Sequence, residues 1–536
     1  MLERVPSGEA ALPIDDALAP PPAQPATPHG GAAAGPCDAL VIRAQPAAPG
    51  KPCLHQRLAL VATILGSSMA FIDGSVVNVA LSSIQTELGS SVAAMQWVVD
   101  AYLLLLGSLV LVGGAAGDRF GRRTVFIAGV ALFTLASIAC GFAPGSGTLI
   151  TARAVQGIGA ALLVPGSLAI IGAVFDERDR GRAIGTWAGF AAITGALGPV
   201  AGGWLVDVWS WRAIFFLNVP LACATIALAA IAVPDSRNPD AQRSLDWPGA
   251  LTATAGLGAF TYGLTAASAH GFAAPVVFAP IALGLVLLVA FVMLERRRAE
   301  PMMPLDVFRS RDFTGANLVT LLLYFALGGV MFFLPFALIR AHGYSATESG
   351  AALLPVPLIL GLLSRFTGGL TTRFGMRALL VAGPFVSSIG LAMLALPGAH
   401  SHLYWSRFFP ALTVLGIGLT ITVAPLTTVV MTAVPRERTG IASGINNAVA
   451  RVASLLAIAV LGIVFVSAHN AALSTRVRPA DTDATVLTPD ATQSATAQAA
   501  AIDRGFTAVV LVCAACAFAG AICAAATIGR KRVDAT

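Results

Sequence analysis

The chain has 536 residues, 56% of them hydrophobic and 11% charged, with a formal net charge of +6. A soluble domain carries roughly 25% charged residues, so this composition excludes a soluble globular protein. It also turns the positive charge from a nucleic-acid footprint into arginines placed on one side of a membrane. Apolar stretches of about 20 residues recur along the length, each long enough to cross a bilayer core. The expected fold class is an all-α integral membrane protein embedded in a lipid bilayer, with no nucleic-acid partner.

In chain order, residues 1–56 come first. They are rich in Pro, Ala and Gly without a sustained apolar run, and they read as a disordered cytoplasmic tail. The apolar core of a signal peptide is missing. Fourteen candidate spans follow, at about 58–81, 94–114, 124–143, 148–173, 184–206, 213–233, 247–268, 274–294, 313–339, 347–370, 377–397, 404–433, 440–466 and 505–528. The seventh and eighth are the weakest. The polar, Ala/Thr-rich segment 467–504 reads as a flexible external loop, and 529–536 as a second tail.

An even count puts both termini on one side. Alternate loops carry Arg119, Arg122 and Arg123, then Arg178, Arg180 and Arg182, then Arg296, Arg297 and Arg298, then Arg373 and Arg377, then Arg436 and Arg438. The positive-inside rule assigns these loops and both termini to the cytoplasmic face of the inner membrane.

Residues Gly114–Arg123 read GAAGDRFGRR, and Gly368–Arg377 read GGLTTRFGMR, 254 positions later. Arg153 and Arg407, near the starts of the fourth and twelfth spans, share that offset of 254. The pattern predicts two six-span halves, 57–233 and 301–528, with two inserted spans in 234–300. A generic cytoplasmic turn would explain either decapeptide alone, but not a second landmark at the same offset. Thr372 stands in the second copy where Asp118 stands in the first.

Several motifs then combine. Gly114, Asp118, Arg119, Gly121, Arg122 and Arg123 lie between spans two and three. Arg153, Gln156, Gly157 and Gly159 lie in span four, and Gly195, Gly198, Pro199, Gly202 and Gly203 in span five. Asp73 with Val76-Val77-Asn78 lies in span one, and Trp211-Arg212 with Asn218 and Pro220 opens span six. Over about 57–530 this set resembles the fourteen-span drug:proton antiporter branch of the major facilitator superfamily. The resemblance implies two six-helix bundles plus two inserted helices. It also implies alternating access and export of amphipathic small molecules, such as antibiotics or dyes, in exchange for protons. It makes the loop signature a conformational latch and the span-five glycines a packing surface that enforces exchange. The simpler readings are topology for the arginines and close helix packing for the glycines. Symport or metabolite export on the same fold, and a non-transporting membrane sensor, are the alternative functions.

Charges at membrane depth cost roughly 2.5–3.5 kcal/mol each even on insertion scales and normally face a partner or water. Asp73, Asp100 and Arg153 lie at depths of about 12, 9 and 8 Å from the outer face at 1.5 Å per residue, so the three are expected to meet. Asp73 is the expected main proton acceptor, Arg153 its gate and Asp100 a second acceptor, with an interfacial Asp as the other reading of Asp100. Gln156, Trp97, Tyr102, Trp187, Tyr324, Phe332, Asn446, Asn447 and Arg451 are cavity candidates, against the alternative that they serve packing or interhelical hydrogen bonding. His400 and His402 read as exposed, and Cys513 and Cys516 as small buried hydrophobes, so no metal is expected. No G-x-x-x-x-G-K-[ST] loop or nucleophile–base signature occurs, so no cofactor, direct ATP drive or enzymatic activity is expected. The expected partners are a small-molecule substrate and protons. Nothing in the chain specifies an oligomeric state.

Overall fold

A computed structural model describes residues 56–237, 245–298, 301–396, 404–435, 438–474 and 491–529. The first tail, His400, His402, Arg436 and the side chain of Thr372 lie outside the described residues. The first half contains α1 (Gln56–Glu87), α2 (Val92–Phe120), α3 (Arg122–Gly141), α4 (Ser146–Val174), α5 (Glu177–Val208), the short α6 (Ala213–Phe216) and α7 (Asn218–Ala232). The inserted pair is α8 (Trp247–His270) and α9 (Pro275–Arg297). The second half contains α10 (Arg311–His342), α11 (Ala346–Ala352), α12 (Pro355–Phe374), α13 (Met376–Met393), α14 (Phe409–Thr432), α15 (Thr439–Ser474) and α16 (Ala491–Thr527). Among the described residues, 13 helical segments are long and apolar enough to cross a membrane. The expected seventh span, α8, is a helix of 24 residues, but Gly, Ala and Thr dilute its apolar content.

The helix boundaries follow from local chemistry. Ser91 caps α2 by accepting from the Ala94 amide at 3.2 Å. Ser345 and Glu348 form a reciprocal capping box at α11, with bonds of 3.1 and 2.9 Å. The expected tenth span is broken into α11 and α12 because Pro355 cannot donate to the preceding turn. The segment 467–504 corrects the sequence reading. It is not a continuous loop: α15 runs on to Ser474, and α16 begins at Ala491, within a stretch rich in the strongest helix former, alanine.

The internal repeat has a backbone counterpart. Gly121 joins α2 to α3 at φ +112°, and Gly375, 254 positions later, joins α12 to α13 at φ +78°. Both positions are left-handed, where a side chain would be strained. At Gly121 an added Cβ would also lie 2.5 Å from Asp235 Oδ1. These two joints and the arginines around them mark one face of the helical array, the arginine-rich face.

Hairpin α8–α9 packs against α2 and α15, and thereby touches both halves. The halves also meet directly, α1 against α10, α2 against α15, and α5 against α11 and α12. Near the face opposite the arginines, Arg340 of α10 donates to Ser82 O at 3.1 Å and to Thr86 Oγ1 at 2.6 Å, both on α1. There too Gln96 Nε2 of α2 donates to Ile458 O of α15 at 2.8 Å.

Candidate functional site

The fourth helix brings the expected charge pair together. Arg153 Nη1 lies 2.5 Å from Asp73 Oδ2 and 2.8 Å from Gln156 Oε1. Gln156 Nε2 donates to Asp73 Oδ1 at 2.8 Å, so both carboxylate oxygens are held. Arg153 Nε donates to the Val98 carbonyl at 3.0 Å, and its guanidinium stacks 4.3 Å above the Tyr102 ring. The Asp73 and Arg153 side chains are each 1% exposed. Arg153 and Gln156 are three apart and so share one face of α4. Small residues let the supporting helices close around them. A Cβ at Gly157 would lie 2.6 Å from Tyr102 O, and one at Gly159 would lie 2.5 Å from Phe133 N.

Asp100 does not join this cluster, and helix phase explains why. Val98 and Tyr102 are four residues apart and both face Arg153. Asp100 lies two residues from each, about 200° around the helix. It shares a face with Gln96 and Gly107, which meet Ile458 and Arg451 of α15. The Asp100 side chain is 0% exposed, and neither of its oxygens has a hydrogen-bond partner.

The cavity candidates separate by environment. Gln156 and Tyr102 belong to the Asp73–Arg153 cluster. Trp187, on α5, is buried against α1 and α4, with Nε1 donating to Ser67 Oγ at 3.0 Å. Phe332 is buried against Phe333 in the second half. Trp97 meets Tyr262 of the inserted hairpin, with ring centroids 6.2 Å apart. Asn446 is buried and accepts from Thr320 Oγ1 at 2.7 Å, and Asn447 is buried beside it. Tyr324 and Arg451 are half-buried. The Arg451 Cβ would stand 3.0 Å from a Cβ on Gly107, so α15 crosses α2 closely there. Cys513 is buried and Cys516 half-buried, both as free thiols.

In the loop signature, Asp118 accepts from Arg122 Nε at 3.0 Å and Nη2 at 2.9 Å, within its own half. The arginine amides and side chains reach the segment after α7: Arg122 N donates to Ser236 O at 2.9 Å and Arg123 Nη1 to Val233 O at 3.3 Å. Arg119 lies over the Phe120 ring, and Gly114 passes Pro165 of α4.

The glycines of α5 face two ways. A Cβ at Gly198 or Gly202 would run into Ser75 or Val76 of α1, whereas one at Gly203 would run into the Ala346 backbone of α11. The Pro199 carbonyl is what a Cβ on Gly350 of α11 would strike. Gly195 meets open space. The fifth helix is thus a thin spacer between α1 and the second half. Gly203→Leu is expected to wedge α5 from α11 at a cost of about 1–3 kcal/mol, detected as lost disulfide cross-linking between cysteines placed at Asp207 and Thr347, whose side chains meet at 2.6 Å.

Sequence reasoning missed three groups. Arg407 donates to Leu394 O at 3.0 and 2.9 Å and to Asp503 Oδ1 at 3.2 Å, and His342 contacts the same oxygen at 3.2 Å. Asp207, in the last turn of α5, accepts from Ala346 N at 3.1 Å, Thr347 N at 2.8 Å and Thr347 Oγ1 at 2.6 Å. Asp246 and Glu295 are buried together at the base of the inserted hairpin. The first was signalled by Arg407 at the repeat offset; the other two had no motif to mark them.

The sequence model of the Major Facilitator Superfamily matches residues 63–458. The chain is 36% identical over 429 residues to the multidrug resistance protein Stp of Mycobacterium tuberculosis, covering 80% of this chain and 79% of that protein. It is 32% identical over 408 residues to the tetracenomycin C resistance and export protein of Streptomyces glaucescens, covering 76% of each. Among solved structures, a bacterial homologue of the human lysosomal transporter Spinster matches with a TM-score of 0.61 at 17% identity, covering 88% of this chain and 98% of that one. The fold, the family match and relatives of this identity and coverage together show that the chain belongs to the major facilitator superfamily, among its efflux transporters of drug-resistance type.

Proposed function

We propose that this efflux transporter works by proton antiport, expelling amphipathic small molecules across the cytoplasmic membrane with both termini inside. The observation that carries the coupling step is the Asp73–Arg153 ion pair, held at 2.5 Å with both side chains almost wholly enclosed. A proton on Asp73 would cancel that ion pair without stranding the arginine, which keeps Val98 O, Gln156 Oε1 and the Tyr102 face. The alternation between paired and protonated Asp73 is a two-state element that a proton gradient can drive. Each charge moved through 100 mV supplies about 2.3 kcal/mol, and the pH difference adds to it.

Asp100 is the second acceptor in this reading, supported by its burial and two unpartnered oxygens. The names of the relatives support antibiotic-like cargo, since resistance and export proteins for chemically different compounds align with this chain. Inverted vesicles with an acidified lumen test the reading. Cationic, neutral and anionic candidate compounds are added one at a time, and proton release from the vesicle lumen is followed. Release on adding one compound is the expected result. Compound accumulation that leaves the proton gradient untouched would refute antiport.

A further inference from the structure

The base of the inserted hairpin holds two carboxyl groups that the transport mechanism does not use. Asp246 precedes α8 and caps it, with Oδ1 accepting from Gly249 N at 2.9 Å and from Arg298 Nε at 3.1 Å. Glu295, in the last turn of α9, accepts from Met303 N through Oε2 at 2.9 Å. The residues are 5% and 2% exposed. Their remaining oxygens, Asp246 Oδ2 and Glu295 Oε1, are both buried without a partner. These two oxygens also face one place: they lie 2.6 and 2.7 Å from the point that a Cβ on Gly249 would occupy.

Two adjacent buried carboxylates, with one arginine between them, cannot both stay ionised at low cost. A single proton between the facing oxygens removes the repulsion and satisfies both orphan atoms at once. Among the described residues, the charges acting on Glu295 are those of Asp246 and Arg298. On the neighbouring helices the nearest candidates are engaged elsewhere. Asp118 of α2 is bonded to Arg122, Arg119 lies over Phe120, and Arg438, just before α15, is paired with Asp306 in the linker that leads to α10. Arg451 of α15 stands against Gly107, at mid-depth. On α9 itself, Arg296 and Arg297 flank Arg298 on the arginine-rich face.

We propose that Asp246 and Glu295 form a proton-binding site, separate from Asp73, that locks the inserted hairpin to the linker into the second half while one proton is shared between them. The lock runs from the α8 cap through the shared proton to Met303. Leu245, next to Asp246, packs on Ala116 of α2 and Val125 of α3, so the same corner also touches the first half. Loss of the proton leaves two like charges face to face and loosens the corner. Because the folded pair binds a proton that the unfolded chain binds less tightly, its stabilisation is present at lower pH and is lost as pH rises.

The test uses the full chain in lipid nanodiscs. Infrared difference spectra should contain a protonated-carboxyl C=O band at neutral pH. That band should survive Asp73→Asn combined with Asp100→Asn and be lost in Glu295→Gln. The glutamine amide in that variant would keep the acceptor for Met303 N and offer a permanent donor to Asp246. The wild-type melting temperature should therefore fall relative to that of Glu295→Gln as pH rises from about 4.5 to about 7, and level off above. Asp246→Asn, which can donate to Glu295 in the same way, serves as the second variant and should lose the same band. An infrared band unchanged in both variants, or a melting temperature whose pH dependence is the same in wild type and Glu295→Gln, overturns the proposal.

Discussion

Asp73→Asn is expected to abolish proton-driven export while the protein still inserts and folds. Asparagine is nearly isosteric and keeps an oxygen for Arg153, so the helices need not repack. What disappears is the negative charge 2.5 Å from Arg153 and the ability to take up and release a proton. Removing one partner of a fully buried ion pair ordinarily costs about 3–5 kcal/mol. Here the cost should fall below that range, because Arg153 also bonds Val98 O and Gln156 Oε1 and lies over Tyr102. Compound-driven proton movement in proteoliposomes should drop at least about 100-fold, equivalent to about 2.7 kcal/mol, while binding of the same compound persists. Arg153→Lys should also impair exchange, because one ammonium cannot reproduce the Nε contact to Val98 and the Nη1 contacts to Asp73 and Gln156 together. Undiminished exchange in Asp73→Asn would remove this residue from the coupling step.

The parts of this protein that were legible in its sequence are those where one residue type admits one structural role. Gly121 and Gly375 could be placed at equivalent joints because both copies end an apolar run with R-F-G, and the backbone there is left-handed in both. The meeting of Asp73 with Arg153 was legible from depth alone, since two opposite charges at similar levels in a bilayer have few other partners. The separation of Asp100 from them was not. Its depth matches, but its direction depends on the rotation of α2, and an almost uniformly apolar helix gives no polar face from which to read that rotation. The same uniformity hides whether an aromatic such as Trp187 lines a cavity or fills a core.

Charged residues at helix ends posed a different difficulty. Arg298 was read as a topology signal, which left Asp246 and Glu295 unremarked beside it. Asp503 fell in a stretch read as loop, although its alanines favour the helix that delivers it to Arg407 and His342. Outside the membrane-spanning helices, Arg438 hydrogen-bonded to Asp306 holds that carboxyl below its ordinary value, so the small contribution of this exposed pair is lost only as pH falls.

Asp207→Ala is expected to open the face opposite the arginines. A carboxylate in the last turn of α5 sits at the unfavourable, negative end of its own helix dipole. Its position makes sense against α11. There it accepts from the amides of Ala346 and Thr347, the first two residues of that helix, while Ser345 takes the third amide at Glu348. The cap of a helix in the second half is thus divided between its own serine and an aspartate of the first half. Rocking the halves apart transfers those two amides to water. Hydrogen bonds to a charged group contribute about 1.5–3 kcal/mol each when sheltered. Asp207 is exposed, so the whole set of three should contribute no more than about 1.5–3 kcal/mol, a shift of roughly 10- to 150-fold between closed and open forms. Spin labels at Trp209 and Glu348, on either side of the contact, read that shift as growth of a longer-distance population in the alanine variant. Asp207→Asn, which keeps one acceptor, should fall between it and the wild type. Identical distance distributions in all three proteins would mean that the closed face is held by the glycine packing of α5 alone, through Gly203 and the Pro199 carbonyl against α11.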